Sequence, residues 1–425
     1  MIHFFTIQPN IPENKIPLKR QISNLLNYIR KKSGVSGNEV DSVEQFITPF
    51  LLDPNTIENL NEDDPIVYGH DVKNGRVFIG NGSDDTPTYF AFTTKRLMSV
   101  LRTLENDRAE SRLPLVLHMD ATFKPNDNEF PFMIIGISDN GQKFHPISMI
   151  VISHRTEEIY TRVLNDLKQA CALILDGYDL RPDYVMIDAE DAEKNAAANA
   201  FGILPSRILM CYFHVQYNCK KRLKGHAKNV QAAVRRDIQY LRESLNRVEY
   251  SARCNQVLEN WRNNRELNEF ADYFESEWIN GIFSQWAAFW TSPGIAGTNN
   301  CIESFNSLIK RNYTLRKRLD MYTFIKVAFR LIQDRSHDLI RQKPFCLKRS
   351  VPIAEQRRAQ KDVNHSVRQI ARNAPIFEVY NEQDQSRRKV DLIKELVIVA
   401  YIICWLIAPI FLKLHTIKAI TNFHT

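Results

Sequence analysis

Between Leu115 and Val215 short apolar runs alternate with turn-forming residues. LVLHMDATFK (115–124), FPFMIIGIS (130–138) and FHPISMIVIS (144–153) are each of strand length. Asp139-Asn140-Gly141, between the last two, has the composition of a tight hairpin turn, so three consecutive antiparallel strands are expected. From Thr156 to Leu175 the apolar residues recur at helical spacing, with Thr156 as N-cap and Glu157 and Glu158 in the first turn. YVMID (184–188), after Pro182, predicts a fourth strand. Asp191 to Phe201 predicts a short Ala-rich helix closed by Gly202, and RILMCYFHV (207–215) a fifth strand.

The resulting order, β-β-β-α-β-α-β, resembles the ribonuclease H-like α/β fold, a mixed sheet that sets the ends of its first and fourth strands side by side. Long helical patterns then fill 216–292, where Trp261, Trp278, Trp286 and Trp290 are concentrated. They predict an all-helical insertion with its own small core. Pro293-Gly294 and Gly297 break that pattern, and TNNCIESFNSLIK (298–310) predicts a returning core helix, so that 293–335 completes a core begun at 114–215. The flanks are expected to be mainly helical. Residues 1–113 read as a partly looped N-terminal region, with a short amphipathic helix at Gln21 to Lys32 and loop over the Asp-, Asn-, Gly- and Pro-rich 53–88. A helix at Thr93 to Leu104, capped by Thr93 or Thr94, ends that region. Residues 336–391 read as a basic helical or loop tail, and 392–425 as a hydrophobic C-terminal segment.

A chain of 425 residues, 44% hydrophobic and 25% charged, has room for two or three domains and a sizeable core. Its net charge of +7 leans mildly towards polyanionic partners, and the cations cluster late, as in Arg316-Lys317-Arg318, Arg357-Arg358 and Arg387-Arg388-Lys389. The 7 Cys are scattered and form no CxxC pair, which argues against a disulfide scaffold and for a reducing compartment. MIHFFTIQPNIPENK is too poor in apolar residues for a signal peptide. Leu396 to Leu412 (LVIVAYIICWLIAPIFL) carries no charge and is at the lower limit for a membrane span; the other readings are a buried helix interrupted at Pro409 and an accidental C-terminal extension.

The candidate chemistry begins at Asp120, one carboxylate inside an apolar strand. Such a group is either paired with a cation or is a metal ligand. Asp188 ends the fourth strand and would be its neighbour. Glu303, in the first turn of the returning helix, reads either as a favourable acid at a helix N-terminus or as a third ligand carried in with Asn299 and Asn300.

MDATFK (119–124), IDAEDAEKNA (187–196), CYFHV (211–215) and TNNCIESFN (298–306) occur in the order and spacing of Mutator-like element (MULE) transposases, which residues 115–310 resemble. The resemblance implies a DDE-type core in which Asp120, Asp188 and Glu303 hold two Mg²⁺ (or Mn²⁺) ions, with oxygen ligands suited to hard cations. It implies hydrolysis of DNA phosphodiesters followed by attack of the freed 3′-OH on target DNA. The alternative is a domesticated descendant that binds DNA without catalysis, or a nuclease that cuts without strand transfer. Cys211 and His214 match the family's C-x2-H motif, which supplies only two ligands and does not make a zinc finger. His214 is either a hydrogen-bonding residue near the phosphates or a structural histidine at a strand end. Glu190 and Asn300 are expected near the site, and Lys124, Lys310 and Arg311 against DNA phosphates; Lys124 could instead pair with Asp127. Many animal members carry a Cys/His module near the N-terminus, whereas residues 1–113 contain no Cys. The resemblance further implies transposon ends and target DNA as partners, a homo-oligomer and a nuclear location.

Overall fold

The structure is a computed structural model that describes residues 40–111, 114–122, 125–139, 143–244, 246–290 and 298–341, and three strands between 365 and 391. The N-terminal portion supplies helix α1 (Val40–Ile47), strands β1 (Ile66–Tyr68), β2 (Asp71–Lys73), β3 (Arg76–Phe78) and β4 (Tyr89–Thr93), and helix α2 (Lys95–Ser111). Then come β5 (Val116–Thr122), β6 (Phe132–Ser138), β7 (Phe144–Ile152), α3 (Glu157–Ile174), β8 (Tyr184–Ile187), α4 (Asp191–Phe201) and β9 (Ile208–Met210). Seven of the strands make one mixed sheet in the order β1-β4-β7-β6-β5-β8-β9. β5 pairs antiparallel with β6 and parallel with β8. The stretch from β5 to β9 therefore has the β-β-β-α-β-α-β order read from the sequence, consistent with a ribonuclease H-like α/β fold.

Both faces of this sheet are covered, which is why β5 and β6 are buried along their whole length. Alternate residues serve opposite cores. Met133, Ile135 and Ile137 join α2, α3 and α4 on one face, while Phe132 and Ile134 join α1 and two later helices, α9 (Asn300–Asn312) and α10 (Met321–Arg341), on the other. The expected end signals operate: Thr94 Oγ1 accepts from Leu97 N at 3.1 Å, Thr156 Oγ1 accepts from Ile159 N at 3.3 Å, and Gly202 takes φ +61° to close α4.

Three expectations need correction. The segment 53–88 is not simply loop: it holds β1, and β1 and the following β4 extend the sheet beyond β7, so this region is part of the sheet. RILMCYFHV is not one strand. β9 stops at Met210, and α5 (Tyr212–Arg222) starts immediately after Cys211. Between 336 and 391, α10 runs to Arg341 and is followed by β10 (His365–Gln369), β11 (Ile376–Asn381) and β12 (Arg387–Asp391), an antiparallel three-stranded sheet where helix or loop was expected. Residues 21–32 and 396–412 lie outside the described residues. Among the described residues no helix is long and apolar enough to cross a membrane.

After α5 the chain forms α6 (Lys228–Arg242), α7 (Arg247–Arg262) and α8 (Asn268–Phe274) around a separate core. Trp261, Trp278 and Trp286 are buried there, and Trp290 packs against it half-buried. Trp261 meets Phe274 edge-to-face at 5.2 Å, and its indole N–H donates to Asp237 Oδ2 at 2.8 Å. This helical layer abuts the sheet at β9, where Met210 N donates to Gln285 O at 3.0 Å.

Candidate active site

On β5 the period of two places His118, Asp120 and Thr122 on the face opposite Leu117, Met119 and Ala121. All three polar residues are buried, and they face α9 rather than solvent. Asn306 Nδ2 donates to Asp120 Oδ2 at 2.6 Å. Burial, reinforced by the charge of Asp188, pushes the Asp120 carboxyl up to about 7, against the opposing influence of His214 and Asn306.

Asp188 follows the last residue of β8, and β8 lies beside β5 in the sheet. Its Oδ1 receives Asn299 Nδ2 at 3.2 Å and lies 2.8 Å from His214 Nδ1. The His214 contact is a close ion pair without the alignment of a hydrogen bond, and Nδ1 is left as a buried nitrogen with no hydrogen-bond partner. Burial opposes the imidazolium, but Asp188 and Cys211 outweigh it and lift His214 to about 11. His214 thus stands in the first turn of α5, not at a strand end, and carries its charge to Asp188.

Glu303 lies in the first turn of α9 with its carboxyl half-buried. Burial raises its pKa, as does Asp188, while His214 lowers it, so the three groups share one electrostatic environment. The buried Cys211 thiol reaches Glu303 Oε1 at 3.9 Å.

A residue that the sequence reading used only as a companion to Glu303 holds these parts together. Asn299 is fully buried. Its amide nitrogen donates to both Asp188 Oδ1 and Met119 O at 3.2 Å, and its backbone N–H meets Cys211 Sγ at 3.2 Å. Its Oδ1 lies 2.9 Å from His118 Nδ1, while His118 Nε2 lies 2.8 Å from Ser138 Oγ. Because the Asn299 nitrogen already donates twice, its oxygen must accept, which assigns the proton to His118 Nδ1 and makes Nε2 the acceptor from Ser138. Burial depresses His118 to about 4, consistent with a neutral ring.

Asp120, Asp188 and Glu303 line one cavity of about 970 Å³. Glu190 also lines it, ion-paired with Arg155 and accepting from the Tyr160 hydroxyl at 3.2 Å. Lys310 lies on its wall with Arg316 and Lys317, from the basic cluster noted in the sequence, and with Lys221, which the sequence did not single out. Asn300 and Arg311 are not brought in. Asn300 is exposed, its position on the turn leaving Asn299 to point inward, and Arg311 is exposed with its Nε on Asn312 Oδ1 at 3.2 Å. Lys124 lies outside the described residues.

Two donor sets meet at Asp188. The carboxylates of Asp120, Asp188 and Glu303 are hard oxygen donors, and the buried Thr122 Oγ1 and Asn306 Oδ1 beside Asp120 have no hydrogen-bond partner. These residues fit a hard divalent cation: it would relieve the repulsion that raises Asp120. The other set is Asp188, Cys211 and His214, whose ligand atoms lie within 4.8 Å of one another. The C-x2-H pair therefore gains a third potential donor that its spacing did not reveal.

The core strands, the two aspartates and the C-x2-H motif fall within residues 116–218, which match the model of the MULE transposase domain. This stretch is similar to the MULE transposase domain. The matched domain ends in α5, before the helical layer and before Glu303. A search of curated proteins found no match. A transposase domain has DNA as its general kind of partner and usually works with a divalent metal.

Proposed function

We propose that the chain is a DDE-type DNA transposase of the Mutator-like class, with Asp120, Asp188 and Glu303 as its catalytic carboxylates. The observation that carries this reading is the convergence of these three acids, from β5, the end of β8 and α9, on one cavity whose wall also bears Lys221, Lys310, Arg316 and Lys317. The acids would hold two Mg²⁺ or Mn²⁺ ions. The chemistry supplied when they are bound is a water with a pKa brought towards neutrality and stabilised charge on the leaving 3′ oxygen. Asn306 and Asn299 fix the rotamers of Asp120 and Asp188, so the carboxylates need little reorganisation to act as ligands. His214 Nδ1 stands 2.8 Å from Asp188 Oδ1 and helps hold that carboxylate in place. The cations on the wall meet phosphate oxygens, a contact independent of sequence and sensitive to salt. After hydrolysis, the freed 3′-OH would attack a phosphodiester of target DNA at the same carboxylates, displacing one strand oxygen as the new bond forms. Homo-oligomer assembly and a nuclear location belong to this proposal, the first from the resemblance and the second from the substrate.

One observation favours a second reading, a domesticated DNA-binding protein without catalysis. Asp188 Oδ1 is already engaged by the Asn299 amide and the His214 imidazolium, so part of its charge is balanced without metal. Incubation with Mg²⁺ and DNA ending in terminal inverted repeats separates the readings. Nicked and then joined products are expected. Cleavage without joining indicates a nuclease, and binding with no product under either metal supports the second reading.

A further inference from the structure

Two large aromatic side chains stand in the open on the wall of the same cavity. Phe213 and Tyr217 are 42% and 46% exposed, although rings of this size usually bury most of their surface. They lie one turn apart on α5 with centroids 6.2 Å apart and planes inclined by only 12°. Lys221, one turn further on, holds its ammonium 4.4 Å from the Tyr217 centroid. At the other end Phe213 meets the His214 ring edge-on at 5.5 Å, and His214 touches Asp188. Tyr212, on the same helix, is buried against Trp286 in the helical core. The fold thus uses the Tyr212 side of α5 for packing and leaves the Phe213–Tyr217 strip exposed to the cavity.

We infer that Phe213 and Tyr217 form a stacking platform for unpaired bases of the DNA strand whose backbone enters the carboxylate site, with Lys221 and Lys310 along that backbone. The inference rests on the DNA-processing reading above and adds what the site selects. An aromatic face binds the π-face of any base, and neighbouring cations follow the phosphates, a combination suited to single strands. A duplex keeps those base faces stacked on one another and offers the rings only its edges. The platform therefore favours DNA that is melted or frayed next to the phosphate being processed.

The test uses the full chain in EDTA, so that no cleavage occurs, with a labelled single-stranded oligodeoxynucleotide and its blunt duplex as probes. Phe213→Leu and Tyr217→Leu are each expected to weaken single-strand binding by about 5- to 150-fold while duplex binding changes by about twofold or less. Phe213→Trp should restore it, and 2-aminopurine in the single strand should lose fluorescence on binding wild type but not the Leu variants. Unchanged single-strand affinity in both Leu variants, or equal losses for single strand and duplex, would overturn the platform. So would tighter binding of the corresponding RNA, which would reassign the ligand. Because no metal is present, the outcome is independent of catalysis: ring-dependent binding in a chain that never cleaves would retain the platform and reject the transposase reading.

Discussion

Asn299 Nδ2 donates to Asp188 Oδ1 at 3.2 Å from a wholly buried position, one turn ahead of Glu303 on the same helix. This contact links the helix that brings the third acid to the strand end that brings the second. Replacing Asn299 with Ala leaves Met119 O, Asp188 and His118 each short of a partner. The variant should lose about 1–3 kcal/mol of stability in chemical denaturation. The ¹⁵N shifts of His118 should also move as its Nδ1 proton loses its acceptor, and unchanged shifts would contradict the His118–Asn299 hydrogen bond.

Asp120 supplies a pH prediction for the metal-free protein. Its folded pKa, about 7, lies above the ordinary 3.8, so the folded state binds the proton more tightly and this group lowers stability as pH rises between those values. Asp120→Asn cannot titrate. Its stability advantage over wild type should grow from pH 4 to 7 and then level off in thermal melts. In wild type, Mn²⁺ affinity by calorimetry should rise with pH up to about 7, since metal and proton compete for the same oxygens.

His214 acts in the same direction over a higher pH range. Its folded pKa of about 11 lies above the ordinary 6.5, so its contribution to stability is complete below pH 6.5 and declines as pH rises towards 11. The stability gap between wild type and His214→Gln should therefore be widest at or below pH 6.5 and narrow steadily above it. A gap that widens in alkali would contradict the Asp188 pairing.

The helical layer makes a packing prediction. Trp278 is almost fully buried, and its backbone carbonyl accepts from the Trp286 indole N–H at 2.7 Å. Trp278→Ala should cost about 3–5 kcal/mol. Hydrogen exchange should accelerate first in α6 to α8, because their core is separate from the two that flank the sheet.

The central strands and their two aspartates were legible because β5 to β7 are separated by strong turn signals and each acid interrupts an apolar run. The alternation His118, Asp120, Thr122 against Leu117, Met119, Ala121 was also present in the sequence as a sign of a polar buried face. The junction at Cys211 was not legible, since a buried strand and the start of a helix both read as continuous apolar residues in RILMCYFHV. β1 escaped notice because three residues among Asp, Asn and Gly carry no period, and β11 (IFEVYN) because its apolar residues fall in pairs rather than alternating. Asn306 and the hub at Asn299 depend on contacts more than 100 residues apart in sequence, which local pattern does not encode.

The most direct test of the catalytic account is the rate of metal-dependent cleavage of inverted-repeat DNA by Asp120→Asn, measured beside wild type with DNA affinity checked in both. The account predicts that wild type cuts with Mg²⁺ or Mn²⁺, and that the variant binds the DNA as well but makes no detectable product. Cleavage by the variant at the wild-type rate would contradict it.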